Sequence, residues 1–242
     1  MKTILVTGAS SGIGRAVAEL ALAEGWRVGL MARREAELNE VAGGHENALA
    51  IPGDVTRLAD CEAAVAAVAA RWGRLDALFN NAGIFTTPGT IDEIDPEDWL
   101  RAVQVNLTGM VWAARAAFAQ MRRQSPQGGR IVNNGSISAH TPREGSVTYT
   151  TTKHGVTGLT KTLALDGRPF DIACGQVDIG NARTPMVAAM VERTVAAGKP
   201  APETMDVAEA ARSVLFMAGM PLDANVLFMT VMATKMPYVG RG

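Results

Sequence analysis

The sequence predicts an α/β protein built on a doubly wound parallel sheet of seven strands with helices on both faces. Two observations lead there. Short apolar runs alternate with longer, Ala-rich segments of helical period along most of the chain. Strands separated by crossover helices pair in parallel, and such a sheet is covered by helices on both sides. In addition, a glycine-rich turn, TGASSGIG (7–14), joins the first apolar run to the first periodic segment. A doubly wound sheet holds its ligand beyond the C-terminal ends of its strands, where such a turn lies.

The elements follow in order. TILVTG (3–8) is a short, evenly apolar run and reads as a buried strand; GIGRAVAELALAEG (12–25) has apolar positions at helical spacing and is closed by Gly25. WRVGLMA (26–32) is the second strand and REAELNEVAG (34–43) a polar helix. ALAIPGDV (48–55) is the third strand, followed by the helix ADCEAAVAAVAARWG (59–73). LDALFNNAG (75–83) is a fourth strand running into a glycine turn, and residues 96–124 form a long helix, apolar over much of its surface. GRIVNNGS (129–136) is the fifth strand and 146–166 another long helix. FDIACGQVD (170–178) and NVLFMTVMA (225–233) complete the strands, with a helix around 206–218 between them. The irregular stretch 180–205 is expected to be a mobile lid. With no internal repeat and no linker rich in Pro, Gly or Ser, residues 1–242 are expected to form one domain.

Composition narrows the function. A chain that is 48% hydrophobic and 19% charged has the profile of a folded, soluble protein. A formal net charge of −1 supplies no bulk attraction to nucleic acid or to a membrane surface. No apolar run reaches the roughly 18 residues of a membrane span, and MKTILVTG is too short for a signal peptide. A cytoplasmic location is therefore expected. Cys61 and Cys174 form no CxxC, and His45, His140 and His154 are scattered singly, so neither a disulfide frame nor a metal site is expected.

Two short stretches carry chemistry. In the turn, Gly8, Gly12 and Gly14 let the backbone bend tightly and approach a diphosphate at the helix start, with Ser10, Ser11 and Ile13 in the same cradle. No Lys-Ser or Lys-Thr follows, which disfavours a triphosphate loop. In YTTTK, Tyr149 stands four residues before Lys153, a spacing that stacks both side chains on one helix face. A lone phenol titrates at roughly 10; an ammonium beside it favours the phenolate and would make the pair an acid–base device.

The turn has the form TGxxxGxG, and with it the sequence resembles the short-chain dehydrogenase/reductase family over roughly residues 3 to 220. Further motifs fall in register. NNAG (80–83), with Asn80, Ala82 and Gly83, stands where the family supports the cofactor's adenosine side, and GDV (53–55) places Asp54 and Val55 near the adenine. Asn106 matches the family's catalytic asparagine. Ser136, Tyr149 and Lys153 complete the set, and Thr184, four residues after Gly180, matches the threonine that holds the nicotinamide carboxamide. The resemblance implies a Rossmann-type, nicotinamide-dependent oxidoreductase acting on a carbonyl or secondary alcohol of a small molecule. Tyr149 would exchange the proton, with Lys153 lowering its pKa. Ser136 would hydrogen-bond the carbonyl oxygen, and Asn106 would help order a water chain. The competing class is a nucleotide-binding redox sensor on the same fold; the intact Ser–Tyr–Lys set favours the enzyme. In the family the helices over 96–124 and 147–166 pair across a two-fold axis, which implies a homodimer or homotetramer.

Three features are specific to this chain. Ile179 replaces the family's proline before Gly180, NNG precedes Ser136, and the C-terminal segment from Asn225 departs from the usual pattern, with Met229, Met232 and Met236 as filler. The end of the second strand, LMARRE (30–35), offers Arg33 and Arg34 and no carboxylate before Glu35. An acidic residue there selects NAD, whereas a guanidinium binds a 2′-phosphate; Arg33, nearest the strand end, thus predicts NADP(H) over NAD(H). Ile84, Phe85, Ser138, His140, Thr141 and the 185–205 segment are expected to line an apolar substrate cleft.

Overall fold

The computed structural model describes residues 1–239, so the last three residues of the domain expected over 1–242 lie outside the described residues. Its strands are β1 Thr3–Thr7, β2 Arg27–Ala32, β3 Ala48–Pro52, β4 Ala77–Asn80, β5 Gly129–Asn134, β6 Ile172–Gly180 and β7 Phe228–Met232. They form one sheet in the order β3-β2-β1-β4-β5-β6-β7, every pair parallel. The expected doubly wound architecture is the one observed. The order reverses between β1 and β4, which opens a crevice at their C-terminal ends.

Helices cover both faces because the strands bury both. β1, β4, β5 and β6 are buried along their whole length. Side chains alternate between two cores, as a period of two demands: Ile4 and Val6 pack on one side, Leu5 on the other. The first core is closed by α1 (Gly12–Ala23), α2 (Glu35–Ala42) and α8 (Val207–Gly219). The second lies under α3 (Leu58–Trp72), α5 (Gly109–Arg123) and α6 (Val147–Asp166). Truncating a large side chain here, such as fully buried Phe79, would cost about 3–5 kcal/mol. Among the described residues no helix is long and apolar enough to cross a membrane.

Four departures from the sequence expectation bear on the crevice. The fourth strand stops at Asn80, so residues 81–83 belong to the loop beyond it. The long helix over 96–124 is divided into α4 (Pro96–Val103) and α5 by a π-helical turn, Gln104–Thr108, that contains Asn106; such widened turns recur at functional sites. The expected irregular lid is partly regular. Residues Pro185–Ala196 form α7, started by Thr184, whose Oγ1 accepts from the Val187 N–H (3.2 Å), and by Pro185 in the first turn. The excursion is also pinned at its base: Arg183 N–H donates to the Met205 carbonyl (2.9 Å) and Met205 N–H to that of Asn181 (3.1 Å). Finally, β6 runs on through Ile179 to Gly180 and stays paired with β7 to its end. Ile179 keeps the backbone N–H that a proline would lack. Gly180 lies against the unusual C-terminal segment, where a Cβ would approach Met232 Cβ to 2.8 Å and Met236 Sδ to 3.1 Å.

Candidate active site

Beyond the ends of β1 and β4 lies a cleft of about 610 Å³. That is within the ~300–1,000 Å³ of small-molecule and cofactor sites. Its floor at one end is the glycine turn. Gly8 (φ 67°) and Gly12 (φ 57°) hold backbone conformations that side-chain-bearing residues avoid. A Cβ on Gly14 would strike the Gly8 carbonyl oxygen, so this glycine serves the close packing of helix on turn and does not itself line the cleft. Ser11, at the N-cap of α1, makes no side-chain cap bond, and the first turn of α1 holds no acidic residue. The helix start is therefore an open set of N–H donors with positive dipole character, which fits a diphosphate.

Around this turn stand the other groups of the adenosine end. Ser10, Ser11, Ile13, Arg33, Arg34, Asp54, Val55, Ala82 and Gly83 all line the cleft. Arg34 is engaged: Nη2 donates to Ser10 Oγ (3.0 Å) and Nη1 pairs with Glu37 (3.0 Å). Arg33 is exposed and has no ion-pair partner among the described residues. Asp54 caps its own turn, accepting from Thr56 N–H (2.9 Å) and Thr56 Oγ1 (2.8 Å). Asn80 does not face the cleft. It is buried, and its amide donates to the Met110 carbonyl (2.8 Å) and to Asn133 Oδ1 (3.1 Å). Of this asparagine pair it is Asn81 that lines the cleft; its backbone N–H donates to Thr7 Oγ1 (2.8 Å) and its Nδ2 donates to the Thr7 carbonyl (2.9 Å). That pair of bonds ties β4 to β1 at the point where the strand order reverses.

Ser136, Tyr149, Lys153 and Thr184 line the opposite part of the same cleft. Ser136 follows β5 and opens a short 3₁₀ turn, Ile137–Ala139, accepting from Ser138 N–H (3.1 Å). Tyr149 and Lys153 come from one face of α6, with Lys153 Nζ 5.4 Å from the Tyr149 ring centroid. Phe85 holds the Tyr149 ring edge-on at 4.5 Å. Lys153 is buried and Nζ donates to the Asn134 carbonyl (2.7 Å). Burial pulls this ammonium down to about 8, against an opposing pull from the Asp178 charge. Burial pushes the Tyr149 phenol up, while the Ser136 hydroxyl and the Arg143 charge act in the other direction and Asp178 adds to the rise. Desolvation is the largest influence on both groups, on half-buried Tyr149 as on buried Lys153. Asn106 lies behind this wall, not in it. Its Oδ1 accepts from Ile84 N–H (2.7 Å) and its Nδ2 donates to the Ile84 carbonyl (2.9 Å), which clamps the loop beside Tyr149.

Sequence reasoning missed Asp178. This fully buried carboxylate on β6 accepts from the Ser136 backbone N–H (2.8 Å) and Gln176 Nε2 (2.7 Å) through Oδ1. Its Oδ2 meets His140 Nε2 at 2.8 Å. An Asp inside an otherwise buried parallel strand was the available signal, since unpaired carboxylates are almost never buried. Of the expected substrate-cleft residues, Ile84, Phe85, Ser138, Pro185, Met186, Val187 and Met190 line it; His140 and Thr141 do not, His140 being turned to Asp178.

Comparison with known proteins fits this geometry. A family model described as short chain dehydrogenase matches residues 2–194. The trans-4-hydroxycyclohexanecarboxylate dehydrogenase of Sinomonas cyclohexanicum is 36% identical over 200 residues, covering 78% of this chain and 75% of that protein. The acetoacetyl-CoA reductase of Rhizobium meliloti is 34% identical over 224 residues, 90% of each. Among solved structures, the 3-ketoacyl-(acyl-carrier-protein) reductase from Brucella melitensis, complexed with NADH, superimposes with a TM-score of 0.86 at 28% identity, covering 96% of this chain and 97% of that one.

Proposed function

We propose that this chain, which belongs to the short chain dehydrogenase family, transfers a hydride between NADP(H) and a carbonyl or secondary alcohol of a small molecule, with Tyr149 as the acid/base. The observation that carries this reading is the shared cleft: Ser136, Tyr149 and Lys153 stand at one end and the open glycine turn at the other.

The residues present fit a nicotinamide dinucleotide. The glycine turn and the N–H groups of α1 would receive the diphosphate, Asp54 and Val55 the adenine, and Thr184 the carboxamide. The hydroxyl of Thr184 accepts its cap bond from Val187 and keeps its own proton to donate. When bound, the nicotinamide supplies or accepts the hydride. Tyr149 presents its phenolic proton to the cleft, where it can be donated to the oxygen of a carbonyl as that carbonyl is reduced. Ser136, fixed through its backbone by Asp178, offers a hydroxyl to the same oxygen. Lys153, near 8, can lose and regain a proton close to neutrality and so can restore the phenol. Asn106 keeps the Ile84 loop in place beneath them.

NADP(H) is favoured because Arg33 stands at the end of β2 with no carboxylate beside it on the strand. The Brucella neighbour was solved with NADH, so the preference rests on this chain's own arginine. Self-association is part of the same reading, with Leu100 on α4 and Leu165 on α6 each 57% exposed. The direct test follows NADPH and NADH consumption with a panel of ketones and oxo acids. Turnover with NADPH supports the reading, and cofactor binding without turnover of any carbonyl would favour the sensor.

A further inference from the structure

We infer that the substrate carries an anionic group, a carboxylate or a group of equivalent charge, and that Arg143 receives it; the inference rests on the reading of the cleft as a hydride-transfer site. Charge is unevenly divided in the cleft. Five cations, Arg33, Arg34, Arg101, Arg143 and Lys153, line it against one carboxylate, Asp54, in a chain whose formal net charge is −1.

Three of these cations have partners: Arg34 holds Ser10 and Glu37, Lys153 is buried against the Asn134 carbonyl, and Arg101 pairs with Asp98 Oδ1 at 2.5 Å. Arg33, which has none among the described residues, stands at the far, glycine-turn end. Arg143 has no acidic partner among the described residues. Its Nη1 instead lies 3.2 Å from Met190 Sδ on α7, a weak acceptor without charge. The backbone that carries it is anchored: Ser146 Oγ donates to the Arg143 carbonyl (2.6 Å) and accepts from the Arg143 N–H (3.3 Å). Ser146 is the N-cap of α6, the helix that presents Tyr149. Arg143 and Tyr149 thus line the same cleft from the start of one helix.

Arg143 itself is exposed at the cleft, and the cleft residues beside it on α7 carry no charge. Phe85, Met186 and Met190 are apolar or weakly polar. A guanidinium against such walls binds a carboxylate through charge-assisted, bidentate hydrogen bonds. The substrate class that matches is a keto or hydroxy acid whose carbonyl reaches Tyr149 while its charged end reaches Arg143. A phosphate monoester of similar reach would use the same chemistry, and the experiment separates the two.

The test measures kcat/KM with NADPH for 3-, 4- and 5-oxohexanoate, each against its methyl ester, and for hydroxyacetone phosphate against hydroxyacetone. In the wild type the best charged substrate should exceed its neutral partner by about ten- to hundred-fold, the worth of one charge-assisted contact. The series showing the preference identifies carboxylate or phosphate as the group. Arg143→Gln should bring the ratio close to one, and Arg143→Lys should restore part of it. Equal rates for charged and neutral partners in the wild type, or a ratio that survives Arg143→Gln, would overturn the inference. Calorimetry with non-reacting hexanoate against hexanamide, and with methyl phosphate, reads the same preference without turnover. Anion binding lost in Arg143→Gln, with no reduction of any carbonyl, would sink the hydride-transfer reading and leave the anion site standing; no anion binding in the wild type would sink the anion site.

Discussion

Replacing Lys153 by methionine should change how stability depends on pH. The lysine is 3% exposed, and burial pulls its ammonium down to about 8 from the ordinary 10.5, with Asp178 opposing. The unfolded chain therefore binds this proton more tightly than the folded one. The cost of burial is fully present below the folded value and is lifted as pH rises from about 8 toward 10.5. At about 1.4 kcal/mol per unit, the penalty is roughly 3 kcal/mol at pH 7 and about 1 kcal/mol at pH 9.5. Lys153→Met has no proton to bind, so wild-type stability should gain about 2 kcal/mol on the variant across that interval. Urea unfolding at fixed protein concentration and without cofactor measures both proteins. The comparison cancels the lost bond to the Asn134 carbonyl, which does not change with pH. The phenol of Tyr149, pushed up by burial, titrates above the interval. A stability difference that stays constant from pH 7 to 9.5 would refute the reasoning, since Lys153 would then be an ordinary ammonium.

Other perturbations probe the rest of the site. Arg33→Ala should weaken NADPH binding by about ten- to hundred-fold and NADH binding little, as read by fluorescence titration; equal losses would remove Arg33 from the 2′-phosphate. Asp178→Leu strips an acceptor from the Ser136 N–H and the Gln176 amide and should cost about 3–5 kcal/mol in unfolding. Asp178→Asn, which keeps an oxygen for both donors, should recover most of that stability and of the turnover. Light scattering at micromolar protein should give two or four times the chain mass of 25.4 kDa; a value near one chain would reject the exposed α4–α6 face as a subunit contact.

Much of this molecule was legible before its coordinates because its local signals agree with one another. A parallel strand followed by a helix is hard to mistake, and the first six of the seven strands are followed by one. The glycine turn and the Tyr149–Lys153 spacing were readable because each demands particular residues at particular offsets. What escaped depends on one-residue registers and on long-range partners. Asn80 and Asn81 are identical in sequence, yet one ends β4 and faces inward while the next lines the cleft. The helix α7 announced itself by Thr184-Pro185, a cap and first-turn pair, within a stretch rich in glycine, proline and charge that obscured it. Asp178 could be placed only once β6 was seen beside β5, because its partners Ser136 and His140 stand about forty positions earlier in the chain. The spacing of Tyr149 and Lys153 reported their proximity and carried no information on how deeply Lys153 is buried.

The most direct measurement is the rate of Tyr149→Phe on a carbonyl substrate of the wild type. The substitution removes the phenolic proton and leaves the ring that packs edge-on against Phe85. With NADPH binding measured alongside to show an intact cleft, turnover should fall by on the order of 10² or more. Near-normal turnover in a variant that binds cofactor normally would contradict the assignment of Tyr149 as the acid/base, and with it the proposed reaction at this cleft.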